Sequence, residues 1–260
     1  MGLQSFIIKQ YIKHLKTIAE KRHGFQTAAF SQALEPTNSI IGKHATSRDG
    51  ICQAMSQRWI VMHAHGSSLF NWIYDKNGKI DAAAIASLSV NQIETETVTK
   101  GASGTVNQDW NSERYLFSHG LLRRTSILPE IDHGFAHNTR NLITGDKAGG
   151  NIFTQMAHGL VSSSKLVTGH YVMIGISGSG GGHCMAAYVG HDIAFFDPNF
   201  GEYWFANRQD FSGWLRDALT LPYRIGKINR SFTLREYAPK MGFVQKMDTI
   251  GGHRMSGEFS

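Results

Sequence analysis

Residues 181–202 read GGHCMAAYVGHDIAFFDPNFGE. Two apolar runs, 183–189 and 193–197, flank Gly190-His191-Asp192, a tripeptide with the composition of a tight turn. The pattern predicts a β-hairpin in the second half of the chain. Side chains alternate along a strand, so His183 and its neighbour Cys184 are expected on opposite faces of the sheet.

The sequence outside this hairpin changes character from helix to strand. Apolar residues at helical spacing predict helices at 6–19, 49–65, 81–97, 112–118, 151–161 and 208–219. Runs typical of strands add 166–176 and 231–237. Most of the helices precede an antiparallel sheet, whereas a parallel sheet would need strands and helices in alternation. The order therefore predicts an α+β fold.

Composition excludes several classes of protein. The chain has 260 residues, of which 41% are hydrophobic and only 18% are charged, so it can bury a full core. No apolar run approaches the length of a membrane span, and two cysteines cannot form a disulfide scaffold. The first residues also lack the pattern of a signal peptide. We expect a soluble, mostly single-domain protein.

The net charge of +6 is concentrated near the N-terminus, where the first 50 residues hold seven Lys and Arg against three Asp and Glu. In the helix predicted at 6–19, Lys9, Lys13 and Lys16 lie outside the apolar stripe. Such a helix either packs on the main domain or binds an anionic membrane or a protein partner. We predict that residues 1–24 direct attachment and that 25–49 form a linker or arm.

Cys52 has the position of an activated nucleophile. It falls in the predicted first turn of a long helix, where free N–H groups and the positive end of the helix dipole favour a thiolate. Asp49 can cap that turn, and Gly50 suits a tight approach of the backbone to a substrate. A buried core thiol is the alternative interpretation of an isolated cysteine.

His183 and Asp197 supply a base and a group to orient it. His183 begins one hairpin strand and Asp197 ends the other, so both lie at the open end of the hairpin. A carboxylate there can accept a hydrogen bond from the imidazole and stabilise its protonated form. Cys184 is expected to point into the core, which argues against a disulfide with Cys52.

The motifs around these three residues resemble the YopT/AvrPphB family of papain-like cysteine proteases, which bacteria deploy as effectors or toxins. The matching segments are DGICQAMS, GGHCMAAY and FFDPNFGE, in that order, and the resemblance covers roughly residues 45–220. It implies a papain-like fold in which a helical part carrying the nucleophile packs on a C-terminal antiparallel sheet. It further implies Cys52 as nucleophile, His183 as general acid/base and Asp197 as orienting residue.

The resemblance also implies secretion by bacteria, delivery to the host cytosol and a host protein substrate such as a prenylated Rho-type GTPase or an immune kinase. On this basis the chain divides into an N-terminal helix and arm (1–44), a protease domain (45–240) and a C-terminal tail (241–260). Papain-like sites place a side-chain amide upstream of the nucleophile as an oxyanion donor. Asn38 is the nearest such amide, and Ser47 is a hydroxyl alternative.

Other site chemistries receive less support from the sequence. The histidines lack two convergent pairs at metal-ligand spacing, and the glycine run 178–182 lacks the Lys-Ser/Thr of a phosphate-binding loop. We therefore predict no metal, no cofactor and no nucleic-acid partner. Two alternatives to proteolysis stay open. One is another acyl transfer on the same triad (a deamidase, transglutaminase or peptidoglycan amidase), and the other is a non-enzymatic binding module.

Overall fold

The computed structural model describes residues 3–43, 50–96, 108–123, 143–161 and 169–240. Its helices are α1 (Leu3–Lys21), α2 (Thr37–Gly42), α3 (Cys52–Ala64), α4 (Leu69–Ile73), α5 (Ala82–Glu96), α6 (Gln108–Ser118), α7 (Ile152–Val161) and α8 (Arg208–Ile225). Its strands are β1 (Gly24–Ala28), β2 (Leu121–Arg123), β3 (Ile143–Asp146), β4 (His170–Gly178), β5 (Gly181–Val189), β6 (Ile193–Asp197), β7 (Gly201–Phe205) and β8 (Ser231–Pro239).

One antiparallel sheet contains all of these strands. Its order is β1-β7-β6-β5-β4-β8-β2, and β3 also pairs with β8. The hairpin predicted from 181–202 is confirmed as β5 and β6, with Val189 opposite Ile193 and Ala186 opposite Phe196. The α+β class is therefore confirmed, and the sheet includes strands that the sequence pattern did not predict.

The alternation along β5 divides the core into two layers. Met185 and Ala187 pack in a cluster with residues of α1, α7 and α8. Ala186 and Tyr188 belong to a second cluster built with α3 and α5, and Cys184 packs against that cluster. The helix that begins at Cys52 thus lies on one face of the sheet, and α8 lies on the other.

The N-terminal residues take part in both the sheet and the core. The helix predicted at 6–19 is confirmed as α1, which begins earlier, at Leu3. Residues 25–49 were expected to be irregular, yet they contain most of β1 and all of α2. Because β1 completes the sheet by pairing with β7 across a long sequence separation, no local pattern marked it. Residues 241–260 lie outside the described residues.

The amphipathic helix α1 is only partly a core helix. Leu15 and Ala19 are fully buried, and Tyr11 packs against the same cluster. Phe6 and Ile7, at the other end of the helix, are 54% and 40% exposed. Across the described parts of the chain, no helix combines the length and the apolar character needed to span a bilayer.

Candidate active site

The loop before α3 places Cys52 at the first residue of that helix. Gly50 adopts a φ of 108°, a region that glycine occupies without steric cost, and Ile51 caps the helix in a non-helical conformation. The Ile51 N–H donates to Gln32 Oε1 at 2.9 Å. Asp49, the predicted cap, lies outside the described residues. The start of α3 is therefore fixed by a glycine turn and by a distant glutamine.

The side chains of Cys52, His183 and Asp197 meet at the open end of the β5–β6 hairpin. His183 Nε2 lies 2.8 Å from Asp197 Oδ1, and the His183 side chain also shares a hydrogen bond with Cys52. Because Nε2 bonds the Asp197 carboxylate, Nδ1 is the ring nitrogen of His183 that can bond the Cys52 thiol. Both cysteines are free thiols, so the expected absence of a Cys52–Cys184 disulfide is confirmed.

The Asp197 carboxylate is fully buried and accepts three hydrogen bonds. In addition to His183, the Asn199 N–H donates to Oδ1 at 2.8 Å and the Tyr223 hydroxyl donates to Oδ2 at 2.6 Å. A buried carboxylate needs such donors, because burial removes it from water. These bonds hold both oxygens in place, so that one of them faces the imidazole.

The charge of Asp197 controls the protonation of His183. Burial alone disfavours the charged imidazolium, but the Asp197 carboxylate and the hydrogen bonds to Asp197 and Cys52 outweigh it. Together they raise the pKa of His183 from 6.5 to about 10. At neutral pH the ring is therefore protonated, which is the form that can pair with a thiolate and donate a proton to a leaving group.

Tyr223 is a positioning residue that the sequence analysis missed. Its ring stacks on the His183 ring at 5.4 Å between centroids, while its hydroxyl donates to Asp197. Burial, followed by the adjacent Asp197 charge, raises the pKa of Tyr223 well above 10, so the phenol stays a donor. The Phe153 ring of α7 stacks on Tyr223 and holds it against the site.

Tyr223→Phe is expected to lower kcat about tenfold with little change in KM, because Asp197 loses one donor while the ring stack remains. Tyr203→Phe is the matched control: its hydroxyl is also buried but donates to the Phe200 carbonyl at 3.0 Å. Each variant should lose about 1–3 kcal/mol of the free energy of unfolding. An equal loss of kcat in both variants would show that Tyr223 acts only through stability.

Gln32 is a second residue near the site that the sequence did not reveal. Besides accepting from Ile51, its Nε2 donates to Asn199 Oδ1 at 3.0 Å, and its own N–H donates to the Pro198 carbonyl at 2.7 Å. One amide thus connects the loop before Cys52 with the turn after Asp197. The signal that could have found it is weak, because Gln32 is one of many amides and lies 20 residues before Cys52.

The other residues predicted for the site stay predictions. Asn38 is exposed on α2. Ser47 lies outside the described residues, so the side-chain oxyanion donor stays a prediction. Lys9, Lys13 and Lys16 are exposed along α1, as expected for a surface helix. In the described ranges, no three His, Cys, Asp or Glu side chains are grouped to hold a metal ion.

Comparison with known proteins identifies the family. The chain matches the family described as the Yersinia/Haemophilus virulence surface antigen over residues 19–240. It is 30% identical over 184 residues to "Cysteine protease yopT1" of Yersinia enterocolitica, which is 68% of this chain and 52% of that protein. It is 25% identical over 224 residues to "Protein adenylyltransferase and cysteine protease IbpA" of Histophilus somni, covering 83% of this chain and 5% of that protein.

The fold has a counterpart among solved structures. The crystal structure of the Pseudomonas avirulence protein AvrPphB aligns with a TM-score of 0.53 and 16% identity, over 74% of this chain and 94% of that one. This likeness confirms the predicted papain-like α+β fold. The chain spans about half the length of the yopT1 relative. Because the family match covers most of its residues, the chain belongs to the Yersinia/Haemophilus virulence surface antigen family, the cysteine protease family of YopT and AvrPphB.

Proposed function

We propose that the chain is a cysteine endopeptidase in which Cys52 attacks the peptide carbonyl. The observation that carries the proposal is the contact of Cys52, at the start of α3, with an imidazole whose other nitrogen lies 2.8 Å from the buried Asp197. A thiol at a helix N-terminus beside a protonated histidine is the environment of a reactive cysteine.

The proposed reaction uses the three side chains in sequence. The Cys52 thiolate adds to the carbonyl carbon, and the negative charge moves to the carbonyl oxygen, which the Cys52 N–H can stabilise. The His183 imidazolium then gives its proton to the leaving amine as the C–N bond breaks. Neutral His183 next takes a proton from water, whose oxygen attacks the thioester, so that the acid is released and the Cys52 thiolate and His183 imidazolium are restored. Asp197 keeps the imidazole oriented throughout.

The alternative function is another acyl transfer by the same residues. The three side chains determine that a carbonyl is attacked, but they do not determine which group accepts the acyl unit. Intact-mass measurement of a protein substrate distinguishes the two. Proteolysis gives two fragments whose masses sum to the substrate plus one water, whereas deamidation of glutamine adds about one dalton to an intact chain. Fragments that disappear with Cys52→Ala support the endopeptidase. A mass gain without fragments would contradict it.

We propose a host signalling protein as the substrate, reached after secretion by bacteria and delivery to the host cytosol. Support comes from the relatives, which are named as virulence and avirulence proteins as well as cysteine proteases. Both a small GTPase and a kinase fit this class. The net charge of +6 repels a lysine-rich prenylated tail at long range. We therefore expect such a tail to be cleaved faster when the rest of the substrate carries net negative charge.

Attachment of α1 to an anionic membrane also stays a proposal, supported by two exposed apolar side chains beside exposed lysines. The double variant Phe6→Ser, Ile7→Ser should lose most of its co-sedimentation with phosphatidylserine vesicles, since burial of these side chains is worth about 2 kcal/mol each. Val90→Ser, at an apolar residue of α5 that is 51% exposed, is the control. Unchanged sedimentation of the double variant would contradict attachment.

Deletion of residues 1–24 is a poor test of the same idea, because α1 also completes the core. Leu15→Ala is expected to cost about 2–5 kcal/mol of the free energy of unfolding, as removal of a fully buried leucine side chain leaves a cavity. Vesicle binding per folded molecule should not change in this variant. A loss of binding without a loss of stability would show that Leu15 faces the membrane.

A further inference from the structure

A polar cavity of about 500 Å³ lies apart from Cys52, between the end of α1, the end of α7 and the first half of α8. Its lining residues are Arg22, Val161, Arg208, Gln209, Ser212, Gly213 and Arg216. Its lining includes none of Cys52, His183, Asp197 and Tyr223, and the lining residue nearest to Tyr223 along α8, Arg216, is seven residues away, about 10 Å at 1.5 Å per residue. The cavity is therefore not part of the candidate active site.

Helical spacing and one glycine bring the arginines of this cavity together. Arg208, Ser212 and Arg216 are four residues apart and share one face of α8. Gly213 allows the Arg22 guanidinium to lie directly against that helix, because a Cβ at this position would be 2.7 Å from Arg22 Nη1. Three guanidinium groups consequently border one concave surface.

The charges around the cavity do not cancel. Arg216 Nε donates to Asp217 Oδ1 at 2.7 Å, and Arg22 pairs with the same carboxylate through Oδ2. Arg208 donates to neutral acceptors, the Val161 carbonyl at 3.4 Å and the Gly190 carbonyl at 3.2 Å. Three cations thus share one carboxylate. None of the described residues that line the cavity is an Asp or a Glu.

Asp210, a further carboxylate in the first turn of α8, is already engaged. Asp210 Oδ2 accepts from Asn207 Nδ2 at 2.7 Å and lies 3.3 Å from His23 Nδ1. It is not among the residues that line the cavity. Its bonds hold the start of α8 and leave the excess positive charge of the arginines in place.

We propose that this cavity binds a compact polyanion that carries phosphate groups, either a soluble phosphate ester or the headgroup of a phosphoinositide lipid. Guanidinium groups offer planar, paired N–H donors that match phosphate oxygens, and charge-assisted bonds of this kind are strong. Gln209 and Ser212 add neutral hydrogen-bonding groups to the same surface. Its volume and its three cations suit a ligand with more than one phosphate.

Calorimetric titration of the full chain with inositol trisphosphate tests the site. Arg208→Gln and Arg216→Gln should each raise the Kd at least about tenfold, whereas Arg224→Gln, in the last turn of the same helix, should match the wild type. Arg216 is largely exposed, so its variant keeps the test valid if Arg208→Gln folds poorly. No binding by the wild type, or equal weakening in Arg224→Gln, would overturn the proposal.

Two further probes separate the sources of the phosphate. Co-sedimentation with vesicles containing phosphatidylinositol bisphosphate, lost in Arg216→Gln, supports a lipid headgroup. Binding of free inositol trisphosphate without sedimentation supports a soluble ester. Equal affinity for a polyglutamate peptide would show that the cavity recognises negative charge and not phosphate, and would overturn the proposal. Thiol labelling at Cys52 should be unchanged in both arginine variants, so failure here is distinct from failure of the protease proposal.

Discussion

Cys52→Ala is expected to lower kcat for substrate cleavage by a factor on the order of 10⁶, because no other group can form the thioester intermediate. The fold should persist, since Cys52 is only half-buried at the first turn of α3 and its side chain is small. The measurement is cleavage of a protein substrate followed by mass spectrometry, with circular dichroism as the check on folding.

Cys184→Ala is the matched control, because it removes the other thiol of the chain. Cys184 packs against the core cluster that includes Ala186 and Tyr188, so its loss should affect stability modestly and leave kcat intact. Full activity in Cys52→Ala would contradict the assigned chemistry. A biological effect that survives in Cys52→Ala would favour the non-enzymatic binding module.

Asp197→Asn is expected to lower kcat about 10⁴-fold while the hairpin keeps its geometry. The amide can still contact His183, but it carries no charge to offset the burial that opposes the imidazolium. The pKa of His183 should consequently fall from about 10, and the imidazolium should be lost near neutral pH. A pH profile of kcat/KM measures this: the alkaline limb lies near pH 10 in the wild type and moves to lower pH in the variant.

The same pKa shift has a consequence for stability. The pKa of His183 is raised in the folded chain, from 6.5 to about 10, so folding favours the protonated ring. Its contribution to the free energy of unfolding is complete below pH 6.5 and is lost as the pH rises through about 10. Urea unfolding of wild type and Asp197→Asn across this range should show a steeper loss in the wild type. Parallel curves would mean that Asp197 does not control the protonation of His183.

Local patterns were sufficient for the larger elements of the fold. The periodicity at 81–97 and 151–161 predicted α5 and α7. In the structure Asp81 and Asn151, just before these helices, each accept from an N–H of the first turn. The hairpin of β5 and β6 followed from two apolar runs and a short turn. Each of these signals lies within one stretch of sequence.

The strands that were missed depend on distant partners. β1 pairs with β7 across more than 170 residues, and β2 has only three residues, which pair with the end of β8. The sequence analysis predicted no strand for the run GEYWF, residues 201–205, yet this run pairs with β6 in regular register. Strand pairing at such separations leaves no local periodicity to detect.

In the candidate site, too, some residues have a local sequence signal and others depend on distant contacts. Cys52, His183 and Asp197 were identified because each begins or ends a predicted element and the hairpin relates two of them. Gln32 reaches the site from the segment between β1 and α2, and Tyr223 reaches it from α8, so no spacing in the sequence marked them. Only the folded structure shows that Gln32 bonds the loop before Cys52 and that Tyr223 bonds the Asp197 carboxylate.

Labelling with a peptide-based epoxide at neutral pH tests the central claim most directly. Wild type, Cys52→Ala, His183→Ala and Cys184→Ala are compared, and the modified residue is mapped by mass spectrometry. The account predicts fast labelling confined to Cys52, retained in Cys184→Ala and lost in His183→Ala. Slow labelling of both thiols that is indifferent to His183 would contradict it.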